Sequence, residues 1–360
     1  MLSCVDDTGA PVAWWLALKY PESSSPEDDD SLSIHPRGSE YSLITSDAPE
    51  ALHKSGSSVT RFDSALARTL APIYDGTAKH LLYNDQPPNT TFSSSSHGHS
   101  KGVVAIRGGG GGFFVQHSIP RFPQYPSSGY GYGESQLRNG QHAFCMSLDA
   151  NGLDAVAFAL AYARPYIYHL SEGDDTWPTA NLTALASGSY IHASDGLNGL
   201  ELSASLPTTS GDEPSDRTPL RLYAKTHWLS SDMVSNIIAP SLGTSMWSQS
   251  WLNTGGVLGA ACPVSDVFGG SNVDGVSVVD ATLLEAGPES SITPWHTHDD
   301  HSKWAVAMDD DKPWSCFSDN NRVHSQLTRS GLSVCIHHEG LHTAMHGVVR
   351  EHNECPTHDP

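Results

Sequence analysis

Short apolar runs, broken by Gly, Pro, Asn and Asp, dominate the chain. Val12–Tyr20 and His80–Tyr83 have the density of buried strands, and Asn84-Asp85-Gln86-Pro87-Pro88 stops the second. Gly102–Arg107, the glycines Gly108–Gly112 and Phe113–His117 read as a strand, a turn and a returning strand. The glycine run lacks the Gly-Lys-Ser/Thr ending of a phosphate loop, so a turn is expected there. Ala143–Leu148 is a further strand, and Leu153–Tyr162 has helical apolar spacing with Asn151 as its cap. Past Arg164-Pro165 come a strand at Leu220–Tyr223, a helix at Asp232–Ala239 and a long buried strand at Val276–Leu284. Strands at Lys303–Met308 and Leu332–Ile336 precede a terminal helix at His338–Val349. The polar stretches Glu22–Ser31 and Ser203–Arg217 read as a loop and a surface insertion. Strands mixed with helices on both sides of Pro165 predict an α/β or mixed α+β fold, in halves 1–165 and 166–360.

One tripeptide pattern recurs in both halves. His99-Ser100-Lys101 precedes an apolar strand, a turn and a strand returning to His117-Ser118. His301-Ser302-Lys303 does the same, returning to Asp319-Asn320-Asn321-Arg322. The step from His99 to His117 is 18 residues, as is that from His301 to Asp319. A single H-x-K is close to noise, but two with matched spacing suggest a duplicated unit packed about a pseudo-twofold axis. Two-residue alternation puts the His and Lys of each motif on one strand face.

Two imidazoles and two ammonium groups suit phosphodiester cleavage without a metal or cofactor. A neutral imidazole attacks phosphorus and forms a phosphohistidine. A protonated one gives its proton to the leaving oxygen and then activates water. The lysines neutralise the equatorial oxygens. His99 is taken as nucleophile and His301 as general acid. His117 and Ser118 are candidates for orienting a catalytic group or touching phosphate, Asp319 and Asn321 for orienting the imidazoles, and Arg121 and Arg322 for holding DNA phosphates.

Charge first argues against a nucleic-acid substrate. Nineteen Lys and Arg face 40 Asp and Glu, a net of −21 with neutral histidines. Protonating all 20 histidines would cancel all but one of those charges. That change falls in acid, near the ordinary imidazole pKa of about 6.5. His296, His298, His324, His337, His338, His342 and His346 fit a titrating surface. No run reaches the roughly 20 apolar residues of a membrane span. With no basic, apolar leader the chain reads as a mature form. The cysteines at 4, 145, 262, 316, 335 and 355 are even in number and contain no CxxC, which favours three disulfides and an oxidising compartment over six buried thiols.

These motifs resemble the deoxyribonuclease II family of acid deoxyribonucleases, within the phospholipase D superfamily. The likeness runs through Pro11-Val12-Ala13-Trp14-Trp15, Lys19-Tyr20-Pro21, Leu82–Pro88, His99–Val103, Phe113–Pro123, Leu242-Gly243-Thr244, Asp300–Trp304, Pro313–Cys316 and Asp319–Arg322. The resemblance implies a phospholipase D-like pseudo-dimer of two mixed sheets flanked by helices, with the active site at their interface. It implies metal-independent endonucleolytic cleavage of double-stranded DNA to 3′-phosphate and 5′-hydroxyl ends, and a homodimer forming a DNA clamp. It also implies the pairings Cys4–Cys145, Cys262–Cys355 and Cys316–Cys335, and a secreted, periplasmic or lysosomal location. Two departures stand out. Ile106 and Met308 occupy the places of the superfamily's downstream Asp, as in the narrower family, and Ala13 stands where an acid is expected.

Two other readings stay open. His296-Thr297-His298-Asp299-Asp300-His301 spells H-x-H-x-D-H, a zinc motif of metallohydrolases, though it follows Pro294-Trp295 instead of a strand. A catalytically inactive DNA-binding protein is the second. Cleavage at pH 5 in chelator separates all three.

Overall fold

The computed structural model describes residues 2–22, 33–34, 37–94, 96–108, 110–171, 177–192, 199–207, 217–253, 256–262, 272–279, 291–292, 294–353 and 355. The first sheet has eight strands: β11 (Ile167–Leu170), β7 (Lys79–Asn84), β8 (Lys101–Ile106), β9 (Gly112–His117), β10 (Gln141–Leu148), β3 (Trp14–Lys19), β5 (Tyr41–Thr45) and β6 (Ala48–Lys54). The second runs β12 (Gly199–Leu206), β13 (Thr218–Lys225), β20 (Gly331–His337), β19 (Trp314–Ser318), β18 (Trp304–Ala307), β14 (Met246–Gln249), β15 (Val273–Val279) and β17 (Trp295–His296), with β21 (Val349–His352) also on β15. β1 (Cys4–Val5) pairs with β2 (Pro11–Val12), and β4 (Ser33–Ile34) with β16 (Ser291–Ile292). The helices are α1 (Ala65–Tyr74), α2 (Ala150–Ala163), α3 (Ala180–Ala186), α4 (Ala239–Leu242) and α5 (Glu339–Gly347).

β3 shows why its sequence is apolar throughout. Trp14, Leu16 and Leu18 enter a central core shared with Trp304, Phe317, Val334 and Ile336 of the second sheet. Trp15 and Ala17 alternate into an outer core with Leu66, Leu70 and Ile73 of α1. Both faces are covered, so the run is continuous. The sheets meet directly at Phe144 and Phe317, whose rings are 4.5 Å apart. The helices reinforce this by exchange: α2, which follows β10, packs on β12, β13 and β20 of the other half. α5, which follows β20, packs on β6 of the first. The expected pair of like halves is present, in a mixed α+β fold.

Several expectations shift in detail. β11 returns to pair with β7, so the first sheet reaches Leu170 instead of ending at 165. The cap of α2 is Asp149, whose side chain accepts from Gly152 N–H, because β10 ends at Leu148 and leaves Asp149 extended. Ser203–Leu206 belongs to β12, where Leu206 is buried, and is not a surface insertion. The helix expected at Asp232–Ala239 forms, but Val234–Ile238 winds as a π-helix before continuing into α4. α1 and the β5–β6 hairpin have no counterpart in the sequence reading. Residues 23–31 of the expected loop and those past Val279 in the expected long strand lie outside the described residues. The three disulfides Cys4–Cys145, Cys262–Cys355 and Cys316–Cys335 all form. Among the described residues, no helix is long and apolar enough to cross a membrane.

Candidate active site

Each H-x-K motif is held by the opposite half. His99 N–H donates to Ser330 O at 3.1 Å, and Ser330 immediately precedes β20. His301 N–H donates to Gly140 O at 2.8 Å, and Gly140 immediately precedes β10. The glycine allows the approach, since a Cβ there would lie 2.7 Å from Asp300 Oδ1. The two motifs therefore meet across the sheet interface in equivalent places.

On the first side, His99 Nδ1 lies 2.8 Å from the main-chain oxygen of Asp319. A carbonyl can only accept, so the neutral ring carries its proton on Nδ1 and leaves the Nε2 lone pair free. That Nε2 is 4.0 Å from Asp85 Oδ2. Asp85 also takes Lys101 Nζ at 2.5 Å and Arg329 Nη2 at 2.9 Å. Burial would raise this carboxyl, but Lys101, His99 and Arg329 together hold it well below the usual range. Burial, then Lys101, pushes His99 well below an ordinary histidine, with Asp85 opposing and Lys303 adding to the depression.

On the second side the neighbours are different. The His301 ring packs on Trp251, with centroids 3.8 Å apart, and its Nε2 is buried without a hydrogen-bond partner among the described residues. Lys303 Nζ donates to His301 O at 2.6 Å. Burial, with Lys303 and Lys101 nearby, pushes His301 down to about 2. Burial, then Lys101, lowers Lys303 to about 7 against the pull of Asp85, Asp300 and Asp319. The mutual influence of Lys101 on His301 and Lys303 on His99 places the four groups in one electrostatic neighbourhood.

Two more imidazoles sit inside. His117 Nδ1 accepts from Ile119 N–H at 3.1 Å, and His142 Nδ1 from Lys303 N–H at 3.2 Å. Each therefore carries its proton on Nε2 when neutral, and each Nε2 is buried without a partner among the described residues. Such orphaned donors suit a negatively charged ligand. Ser118 Oγ donates to Gln141 Oε1 at 2.6 Å.

Other candidates fall elsewhere. Asp319 orients His99 through its carbonyl, whereas its carboxylate accepts from Gln116 Nε2 and Leu332 N–H, and burial raises it to about 6. Asn321 shows no hydrogen bond to an imidazole; its N–H donates to Gln326 Oε1 at 2.7 Å. Arg322 is buried against Asp232 at 2.9 Å and Gly259 O, which closes it to a phosphate arriving from solvent. Arg121 is exposed at the rim of a cavity of about 560 Å³ that also includes His301 and Trp251.

The zinc motif does not assemble as a ligand set. Asp300 accepts from Trp295 Nε1 and from Ser302 N–H, and His298 bonds Asn253. Among the described residues, no group of three or more His, Cys, Asp or Glu side chains is placed to hold a metal ion.

The sequence reading passed over Asp85, Gln116, His142, Trp251 and Arg329. Asp85 offered a signal, an acid at the end of the strand before the first H-x-K strand. The others offered none.

Two like halves that bring paired imidazoles and ammonium groups together at their interface define a phospholipase D-like architecture. A family model described as Deoxyribonuclease II matches residues 3–355, and the chain belongs to the deoxyribonuclease II family. Deoxyribonuclease-2-alpha of Rattus norvegicus is 30% identical, over 98% of this chain and 95% of its own length. The Sus scrofa protein of the same name is 30% identical, over 98% and 91%. Plancitoxin-1 of Acanthaster planci is 29% identical, over 98% and 92%. The chain is a nuclease.

Proposed function

We propose that this nuclease cuts double-stranded DNA endonucleolytically in acid, without a metal, leaving 3′-phosphate and 5′-hydroxyl ends. The observation that carries the reading is the tautomer of His99. With Nδ1–H bonded to Asp319 O, its Nε2 holds the free lone pair a nucleophile needs. Nε2 attacks phosphorus, the bond to the 5′-oxygen breaks, and protonated His301 gives that oxygen its proton. Neutral His301 then takes a proton from water. The water oxygen attacks phosphorus, the P–N bond breaks, and the 3′-phosphate leaves. Lys101 and Lys303 neutralise the non-bridging oxygens, helped by the Nε2–H groups of His117 and His142.

A bound phosphodiester also supplies a counter-charge. Its negative charge favours the protonated form of the half-buried His301, so binding and proton uptake reinforce each other, and acid promotes both. The three disulfides fit an oxidising compartment, secreted, periplasmic or lysosomal. A homodimeric clamp around the duplex belongs to the same reading and is measured by sedimentation with and without DNA.

Plasmid cleavage from pH 4 to 8 in EDTA, with His99→Ala and His301→Ala alongside, tests the proposal. Nicking in acid that both substitutions remove is expected, with phosphatase-sensitive 3′ ends. A shifted but uncut plasmid would mean a binding protein, and loss of wild-type cleavage in EDTA would restore the zinc reading.

A further inference from the structure

The cavity beside His301 is not used by any step above. Its volume is about 560 Å³, within the range of small-ligand pockets. Arg121 and Arg138 both line it, both are exposed, and among the described residues neither guanidinium has an acidic partner. Among the described residues Asp299 is the one acid in the lining, so the two arginines leave it net positive on a chain of net charge −21. Phe92, 48% exposed, stands in the same lining, as does Trp251.

The wall is built to hold Arg121 still while leaving its head free. Its φ is +56°, a left-handed conformation unusual for a residue with a side chain. Its N–H donates to Gln86 O at 2.8 Å, and its C=O accepts from Gln136 Nε2 at 3.0 Å and Gln124 Nε2 at 3.2 Å. Trp251 is likewise fixed, by Nε1–H to His298 O at 3.1 Å. Pinned main chain beneath a free guanidinium, with open aromatic surface beside it, fits a nucleotide: a phosphate for the arginines and a base for the rings.

We infer that this cavity is the subsite for the nucleotide on the leaving-group side of the scissile phosphate, with Arg121 and Arg138 on the next phosphate and Phe92 and Trp251 against its base. The inference rests on the proposed mechanism, in which His301 serves the departing 5′-oxygen; a nucleotide leaving past His301 enters this space.

The test compares DNA with bis(p-nitrophenyl) phosphate, a phosphodiester with no neighbouring phosphate or base. Arg121→Gln and Arg138→Gln should each lower the ratio of kcat/KM on DNA to kcat/KM on the ester by about tenfold. Each should also flatten the slope of log(kcat/KM) for DNA against log salt by about 1. Phe92→Ser should lower the ratio by roughly fivefold, with the salt slope kept, because it removes stacking and no charge. Ratios and slopes equal to wild type overturn the subsite, and so do equal losses on both substrates. Failure of the mechanism itself shows separately, as a wild-type enzyme that cleaves neither substrate or that does not need His99, and the subsite falls with it.

Discussion

The two H-x-K motifs occupy equivalent places on equivalent hairpins, yet their surroundings differ in kind. The strand beside the first, β7, puts Asn84 opposite Lys101 and runs straight into Asp85. The strand beside the second, β14, puts Gln249 opposite Trp304 and runs on to Trp251. One strand end thus delivers a carboxylate that grips Lys101 and Arg329, and the other an indole that covers His301. His99 is aimed by a carbonyl; among the described residues the His301 Nε2 has no partner. A duplicated fold repeats the positions of the groups, and the neighbouring strand ends give them different partners.

The largest effect should come from changing the leaving group. Nitrophenolate departs without a proton, so it bypasses a general acid. His99→Ala should abolish cleavage of DNA and of bis(p-nitrophenyl) phosphate alike. His301→Ala should lose roughly 10²–10⁴-fold on DNA but still release a burst of about one nitrophenolate per enzyme, since the first step survives and hydrolysis of the intermediate stalls. Absence of a burst, or parallel losses in both variants, would make the two sides equivalent after all.

Next in size is the charged side's hold on the fold. Asp85→Asn strands Lys101 and Arg329, and breaking a buried pair in this way costs about 3–5 kcal/mol. Urea unfolding at pH 7 should show that loss, with Trp251→Phe losing less than half as much. Equal losses would mean the indole is as structural as the carboxylate.

The pH profile gives a third contrast. Lys303, lowered to about 7 by burial and Lys101, is charged below that pH and neutral above it. kcat/KM on DNA should therefore fall as pH rises through 7, up to about tenfold per unit. Lys303→Arg, which keeps its charge, should move that limb to higher pH. An unmoved limb would assign it to another group.

The last contrast is in how stability depends on pH. His99, His117, His142 and His301 all have folded values below the ordinary one, with His117 near 3 and His301 near 2. The unfolded chain binds protons near pH 6.5 that the folded chain refuses, so stability falls as pH drops below about 6.5 and keeps falling toward those lower values. Melting temperature should decline from pH 7 to 4.5, and inorganic phosphate should restore more of it at 4.5 than at 7. An equal phosphate effect at both pH values would show that anion binding is not coupled to these rings.

Much of the fold was legible because strand burial imprints on local pattern. The β8–β9 and β18–β19 hairpins and β10, β13 and β20 all stand out as apolar runs bounded by turn residues. α1 did not, since a proline at position 72 and the lack of an acid in its first turn hide its ends. Pro165 suggested a boundary that β11 overrides, because the edge of β7 offered unpaired main-chain groups that a nearby strand could satisfy. Arg322 looked like a phosphate ligand because it follows the second hairpin, but Asp232, 90 residues earlier, neutralises it.

Residue order alone determined the two hairpins, their matched H-x-K motifs and the number of cysteines, since each depends on neighbours a few positions apart or on a simple count. Only the tertiary structure decided which ring nitrogen of His99, His117 and His142 is engaged. That depends on a main-chain carbonyl 220 residues from His99 and on backbone N–H groups that claim Nδ1 of the two buried rings. Carbonyls and amides are the same in every residue, so their use as partners leaves no mark on the letters of the chain.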